Sequence, residues 1–264
     1  MKQITSRDNA LYKEIKHLAS NANARRKSGR TLLDGTHLCQ AYLQHRGAPE
    51  LCVVSESSLQ NDEVILIVSD CEKRRGQVIA LPDALYQAIS QVENGVGLVF
   101  VVPVPNAAAD AGLGAQLKVN AVLLDGLQDP GNLGSILRSA AAAGIKQVYC
   151  SEGTVSAWSP KVLRAGMGAH FLLEIVESVN LHALIQQSQI PVFATSSHTT
   201  TTIYQADLKQ ALAWLFGHEG QGVSQDLMEL ATTIVTIPQR PEIESLNVAA
   251  SAAICFFEQV RQNL

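Results

Sequence analysis

Residues 121–144 read AVLLDGLQDPGNLGSILRSAAAAG. Four apolar residues, Ala121–Leu124, run into a loop punctuated by Pro130, Gly131 and Gly134, and an alanine-rich segment follows. That order spells a strand, a loop and a helix packed back on the strand. Asn132 stands where an N-cap would serve the helix. Arg138 comes six positions later, about one and two-thirds turns on. An arginine within the otherwise apolar SILRSAAAAG needs a partner, because guanidinium groups are rarely buried alone, and its planar fork suits phosphate.

The same alternation extends outward from this unit in both directions. Apolar runs occupy Leu51–Val54, Val64–Val68, Val78–Leu81, Leu98–Val102 and Ala121–Leu124, then Gln147–Cys150, Phe171–Val176, Pro191–Ala194, Leu212–Phe216 and Thr233–Ile237. Strand-like runs with helix-length spacers predict an α/β protein with mostly parallel sheets. Between the fourth and fifth runs the chain reads PVPNAAADAGLGAQLK (103–118), small residues and breakers that make a linker by composition. A boundary near residue 112 follows, with a first domain over 1–105, a linker over 106–118 and a second domain over 119–264.

The 264 residues are 47% apolar and 17% charged, which provides a packed core and excludes a disordered chain. The net charge of −4 is unevenly placed. Residues 1–30 carry eight basic and two acidic side chains, a net +6, and the remainder is acidic. A helix capped by Asp8 or Asn9 would bury Leu11, Ile15 and Leu18 on one face. Arg7, Lys13, Lys16, Arg25, Arg26, Lys27 and Arg30 would then lie on the other face or just beyond. A solvated helix face explains such charges blandly, but their concentration in an acidic protein points to nucleic-acid phosphates. Five cysteines at positions 39, 52, 71, 150 and 255 never approach within a C-x-x-C spacing, which suits a reducing cytoplasm. The basic N-terminus lacks the apolar stretch of a signal peptide, and no run approaches the roughly 20 residues of a membrane helix.

Two more segments carry chemistry. LFGHEGQGVS (215–224) follows a strand, and its glycines let backbone approach a ligand. The order is not G-x-G-x-x-G, and Glu219 among the glycines would repel phosphate, so a ligand with a cationic or hydroxyl-bearing part is expected. IPQRPEIESLNVAASAAICFF (237–257) leaves a strand through a proline-punctuated loop, and Ser245 could cap the apolar helix. Asn247 then needs a separate explanation. Neither an H-E-x-x-H pair, a G-x-S-x-G elbow nor a Walker loop occurs, and no role falls to the histidines.

DPGNLGSILRSAAAAG, FGHEGQG and IPQRPEIESLN, in this order and spacing, resemble the signature motifs of the SpoU (TrmH-type) RNA ribose methyltransferases of the SPOUT superfamily. SPKVLRAGMGAHF (159–171) is similar to the family's connecting segment, and ITSRDNALYKEIKHL with RRKSGRTLLDGTHL resembles the small ribosomal-protein-like domain that precedes many of these enzymes. The resemblance implies a C-terminal parallel sheet with a trefoil knot behind a small α/β domain, usually paired as a homodimer. It implies methyl transfer from S-adenosylmethionine to a ribose 2′-hydroxyl of RNA, ribosomal rather than transfer RNA, in the cytoplasm and without a metal. Cofactor positions carry over to Thr195, Ser196, Gly217, Gly220, Ile237 and Leu246, with Ser197 beside them. Catalytic positions carry over to Asn132, Arg138, Glu219, Ser245 and Asn247. The sequence departs from the pattern at His218, where a small or amide residue is commoner, and at Gln239 and Pro241, where I-P-M and a glycine are usual. Asp34 stands for a usual glutamate. Two other readings are an idle RNA-binding protein of the same fold and a metabolic α/β enzyme with a nucleotide cofactor.

Overall fold

The computed structural model describes residues 1–92, 95–105 and 116–264. The chain divides into two compact units, Met1–Asn106 with Trp158–Phe171, and Ala107–Ala157 with Leu172–Leu264. The boundary expected near residue 112 lies outside the described residues.

The first unit is built on a five-stranded sheet in the order β1-β4-β3-β5-β2. Its strands are β1 (Lys2–Gln3), β2 (Arg30–Asp34), β3 (Leu51–Ser55), β4 (Gln77–Leu81) and β5 (Leu98–Pro103). β5 runs antiparallel to both β2 and β3, while the remaining pairings are parallel, as the expected mostly parallel sheets require. LVFVV is buried along its length, and such a run reads the same in either direction. The basic N-terminus forms α1 (Ala10–Ser20), capped by Asn9, whose side chain accepts from the Leu11 and Tyr12 N–H groups. α1 buries Tyr12, Ile15, Leu18 and Ala19, and α2 (Ala22–Ser28) carries Arg25, Arg26 and Lys27 in its last turn.

The run Val64–Val68 is not a strand. It lies in α4 (Asp62–Lys73), after α3 (Thr36–His45). Asn61 caps α4 from its side chain, Asp62 and Glu63 fill the first turn, and Val64, Ile67, Val68 and Cys71 form the buried stripe. Ile65 and Leu66 face solvent, so the spacing is helical despite the β-branched composition. α5 (Asp83–Gln87) completes this part. The segment Trp158–Phe171, expected within the second domain, belongs to the first unit. Its α7 (Pro160–Gly166) packs on β2, the buried Thr31 hydroxyl donates to the Trp158 carbonyl at 2.8 Å, and Tyr42 meets Phe171 edge-on at 5.4 Å. Phe171 therefore sits in a short 3₁₀ turn, and the strand expected from it begins only at Glu174.

The second unit has a six-stranded, wholly parallel sheet in the order β11-β9-β10-β6-β7-β8. The strands are β6 (Ala121–Leu124), β7 (Gln147–Ser151), β8 (Glu174–Val179), β9 (Val192–Thr195), β10 (Ala213–Phe216) and β11 (Thr233–Val235). The helices are α6 (Pro130–Ala142), α8 (Leu181–Gln186), α9 (Gln225–Leu230) and α10 (Val248–Gln262). The central strands β6 and β10 are fully buried, as the unbroken apolar runs AVLL and AWLF require in a parallel sheet covered on both faces. From β6 the order proceeds to β7 and β8 on one side and to β10 and β9 on the other. The carboxyl ends of β6 and β10 therefore flank a topological switch point, where ligands of open parallel sheets bind.

Candidate active site

Three of the loops leaving the carboxyl ends of these strands carry the three sequence segments singled out above. The loop after β6 holds Gln128 and Asp129. Asp129, not Asn132, caps α6, accepting from the Asn132 N–H at 2.7 Å. Proline at the first helical position fixes that geometry. Asn132 is thereby left with its side chain free for other work. Its amide donates to Glu219 Oε1 at 3.1 Å, and its carbonyl oxygen accepts from the Asn247 amide at 2.9 Å. Asn247 in turn caps α10, accepting from the Ala249 and Ala250 N–H groups. Ser245, expected to cap this helix, does not do so, and its side chain stands exposed at the loop.

Glu219 is the hub. Oε1 also accepts from the Asp129 N–H at 3.0 Å, and Oε2 accepts from the Gln128 N–H at 3.1 Å. The carboxylate thus sits at the amino end of α6, where backbone N–H groups and the helix dipole favour negative charge. Partial burial works to raise its pKa, but the bonds from Asn132 and from backbone N–H groups outweigh that and hold it at about 2. Glu219, Asn132 and Asn247 form one hydrogen-bonded clasp across all three segments.

Beside the clasp lies a cavity of about 340 Å³. Every cofactor candidate lines it: Thr195, Ser196 and Ser197 after β9, Gly217 and Gly220 after β10, and Ile237 and Leu246 after β11. Ser245 and Glu219 line it too. Gly217 is demanded by the chain itself, since a Cβ there would lie 2.0 Å from the Gly222 carbonyl carbon. Arg138 is not brought to the cavity. It projects from the exposed face of α6, with no hydrogen bond or ion pair among the described residues.

Several supports escaped the sequence reading. Asp125 accepts from the Ser224 N–H at 3.0 Å and from its hydroxyl at 2.7 Å, tying the end of β6 to the end of the glycine-rich loop. An acidic residue closing an apolar strand just before a glycine was the available signal. Gln239 donates to the carbonyls of Ile243 at 2.9 Å and Glu244 at 3.1 Å, stapling the proline-punctuated loop. His218, given no role from the sequence, also makes local bonds within its loop.

The basic candidates of the first unit separate into two groups. Arg7, Lys16, Arg26 and Lys27 are exposed with no bonded partner among the described residues. Lys13 pairs with Asp8 at 2.8 Å, and Arg30 pairs with Glu14 and lies 3.9 Å from Glu50. Arg25 donates to the carbonyls of Leu18 at 2.7 Å and Ala19 at 3.3 Å, closing the carboxyl end of α1.

Comparison with known proteins supports the motif reading. The model of the SpoU rRNA Methylase family matches residues 120–257. An uncharacterized tRNA/rRNA methyltransferase of Synechocystis sp. is 32% identical over 98% of this chain and 93% of its own length. The 23S rRNA (guanosine(2553)-2'-O)-methyltransferase RlmP of Bacillus subtilis is 30% identical over 97% of this chain and 98% of its own. The crystal structure of an AdoMet-bound rRNA methyltransferase from Sinorhizobium meliloti shares the fold with a TM-score of 0.84, at 25% identity, covering 100% of this chain and 98% of that one. A family match over half the chain and full-length relatives of this similarity make the conclusion plain: the chain belongs to the SpoU rRNA methylase family.

Proposed function

We propose that this protein transfers a methyl group from S-adenosylmethionine to a ribose 2′-hydroxyl of RNA, with ribosomal RNA as the substrate. The observation that carries this reading is the clasp of Glu219, Asn132 and Asn247 beside a cavity formed by the same three loops. The cavity volume falls within the roughly 300–1,000 Å³ of small-molecule sites. Its lining includes Thr195, Ser196, Ser197, Glu219 and Glu244, and neither lysine nor arginine. That donor set suits a cationic, hydroxyl-bearing ligand and disfavours a polyphosphate, which weighs against a metabolic enzyme with a phosphorylated nucleotide cofactor. The intact polar positions weigh against an idle protein.

S-adenosylmethionine supplies an electrophilic methyl group to such a site. The rest falls to the chain. Glu219, with its pKa held at about 2, is a poor general base near neutral pH and serves to fix the loops. Asn132 and Asn247 complete that fixation, and Ser245 presents its hydroxyl to the cavity. Arg138 cannot act as a base either, because its guanidinium does not give up a proton. As a cation it would hold a phosphate and stabilise charge developing on the ribose oxygen.

In the first unit Arg7, Lys16, Arg26 and Lys27 are the phosphate contacts of this reading, with residues 1–105 as the RNA-binding domain, 106–118 as the linker and 119–264 as the catalytic domain. A homodimer and a trefoil knot belong to the same reading. Ser135, Arg138 and Ala142 form an exposed stripe on α6, which packs against α10 with its exposed Ala250 and Phe257, and this mixed surface of small, apolar and basic side chains is where the reading seats a second copy. No helix among the described residues is long and apolar enough to cross a membrane. A cytoplasmic location belongs to the same reading, because that is where ribosomal RNA would be met.

Transfer of tritium from labelled S-adenosylmethionine to unmodified total RNA, counted separately in ribosomal and transfer fractions, tests the proposal. Label is expected in ribosomal RNA and should vanish with Arg138→Ala while cofactor binding persists. Label confined to transfer RNA would reassign the substrate. A bound cofactor with no label in either fraction would make an assembly intermediate or another RNA the substrate, and no label without cofactor binding would favour the idle RNA-binding reading.

A further inference from the structure

His218 stands inside the glycine-rich loop that lines the cavity, and its bonds are unusual for a half-exposed histidine. Its Nδ1 accepts from the Gly220 N–H at 3.0 Å and from the Gln221 N–H at 3.3 Å. Both donors are backbone N–H groups, so these two bonds require a lone pair on Nδ1 and form only with an unprotonated Nδ1. Its own backbone closes the turn, with the His218 N–H donating to the Gly222 carbonyl at 3.0 Å and the Gly222 N–H returning to the His218 carbonyl at 2.8 Å. The ring lies beneath the turn, where a Cβ on Gly220 would meet its Nδ1 and Cε1 at 3.8 Å. Glu219, the hub of the clasp, is the residue between His218 and Gly220. The imidazole therefore fixes the turn that aims Glu219 one way and the cavity-lining backbone the other.

We propose that His218 is a positioning residue whose neutral Nδ1 holds the turn at residues 218–222 in its binding-competent form, so that cofactor affinity falls when the imidazole is protonated. Protonation converts Nδ1 from acceptor to donor and sets an N–H against two others. The turn then loses its internal support and Glu219 loses its fixed direction. This inference rests on the cofactor reading above, but the turn itself can be observed without any ligand. The titratable groups that share the cavity with His218 are Glu219 on its own loop, His198 after β9 and Glu244 on the loop before α10, and Asp125 holds the far end of the turn through Ser224. Glu219, with its pKa held at about 2, stays ionised wherever a histidine titrates.

The test uses the full chain and three proteins: wild type, His218→Asn and His218→Ala. An asparagine side-chain oxygen accepts backbone N–H groups two residues on and cannot be protonated in this range. Protection of the Gly220 and Gln221 amides from hydrogen exchange, corrected for intrinsic rates, is followed without ligand at about pH 8 and about pH 5.5. S-adenosylmethionine affinity is measured by calorimetry at the same two pH values. The wild type should lose amide protection and about tenfold in affinity at the lower pH, the equivalent of two hydrogen bonds of ordinary net strength. His218→Asn should keep both at either pH, and His218→Ala should be weak at both. Equal protection in wild type and His218→Ala, or the same acid loss of affinity in His218→Asn as in wild type, would overturn the proposal and move the acid sensitivity to His198. Absence of cofactor binding by the wild type at either pH would defeat the methyltransferase reading instead, and the amide protection would still decide the role of His218.

Discussion

Gly217 and Gly220 sit in one loop and line one cavity, yet their backbones ask different things of a side chain. At Gly217 a Cβ would lie 2.0 Å from the Gly222 carbonyl carbon and 2.1 Å from the Val223 nitrogen, so the crossing of two backbone segments excludes it. At Gly220 the nearest atoms are 3.8 Å away on the His218 ring. Gly217→Ala must therefore displace backbone, and its denaturant midpoint should correspond to a loss of about 2 kcal/mol or more, with cofactor affinity lost alongside. Gly220→Ala should stay within about 0.5 kcal/mol of wild type. Equal midpoints for the two variants would show that the loop can open at Gly217 without penalty. The sequence marked both glycines as places of close approach but did not distinguish approach by a ligand from approach by the chain. The caps had the same ambiguity. Asn132 and Ser245 were each plausible caps by residue type, and the structure assigns the capping to Asp129 and Asn247. Asp, Asn and Ser at neighbouring positions are all good acceptors for helix N–H groups, so local chemistry alone leaves the choice among them open.

At the scale of elements the parallel sheet was the most legible part. AVLL, QVYC, the β9 run and AWLF are strands because each is short, apolar and bounded by breakers, and they are buried on both faces. VILIV reads as a strand by composition, because the helical spacing shows only when Asn61 is taken as a cap and Cys71 as part of the stripe. Strands β1 and β2 went unread, one being two residues long and the other following the basic segment directly. That segment carries a prediction. The sequence offers Arg25, Arg26 and Lys27 alike as phosphate contacts, and the structure divides them. Arg26 and Lys27 are free on α2, whereas the Arg25 guanidinium is committed to the Leu18 and Ala19 carbonyls. Replacing Arg26 and Lys27 by glutamine should lower the log–log salt slope of RNA binding by about 1.5, the share of two phosphate contacts. Arg25→Met should change that slope little and instead lower stability by about 1 kcal/mol through the lost hydrogen bonds. Titration of RNA binding over a salt series, with an unfolding curve for each variant, separates the two roles. A large slope change in Arg25→Met alone would reverse the assignment.

The whole molecule carries its acid-sensitive carboxylates unevenly. In the second unit Glu219 is held at about 2 against the pull of its partial burial, by Asn132 and backbone N–H groups. Glu258 is held at about 2 chiefly by the Arg261 guanidinium, which donates to both of its oxygens at 2.8 Å, with burial opposing and Gln262 assisting. In the first unit the two resolved carboxylate shifts oppose each other. Asp34 is raised by burial, against bonds from Gln91 and Ser90 and the field of Arg164, while Asp83 is lowered by bonds from Ser57. A carboxylate with a depressed folded pKa adds stability that is present above the ordinary value of about 4.5 and disappears as pH falls through the folded value. The second unit should therefore lose stability steadily from about pH 4.5 to about pH 2. Each unit contains one tryptophan, Trp158 in the first and Trp214 in the second. Trp158→Phe is a mild change, because the indole N–H has no partner among the described residues and the Thr31 bond goes to the backbone carbonyl. In that background fluorescence reports on Trp214 alone, buried against Phe193, Phe216 and Gln259. Denaturant midpoints from Trp214 should fall between about pH 5 and about pH 3. Adding Glu258→Gln should lower the midpoint at neutral pH and flatten the fall, since the variant has no Glu258 carboxylate left to protonate. An undiminished acid slope in that variant would place the sensitivity elsewhere in the unit, with Glu219 next to be replaced.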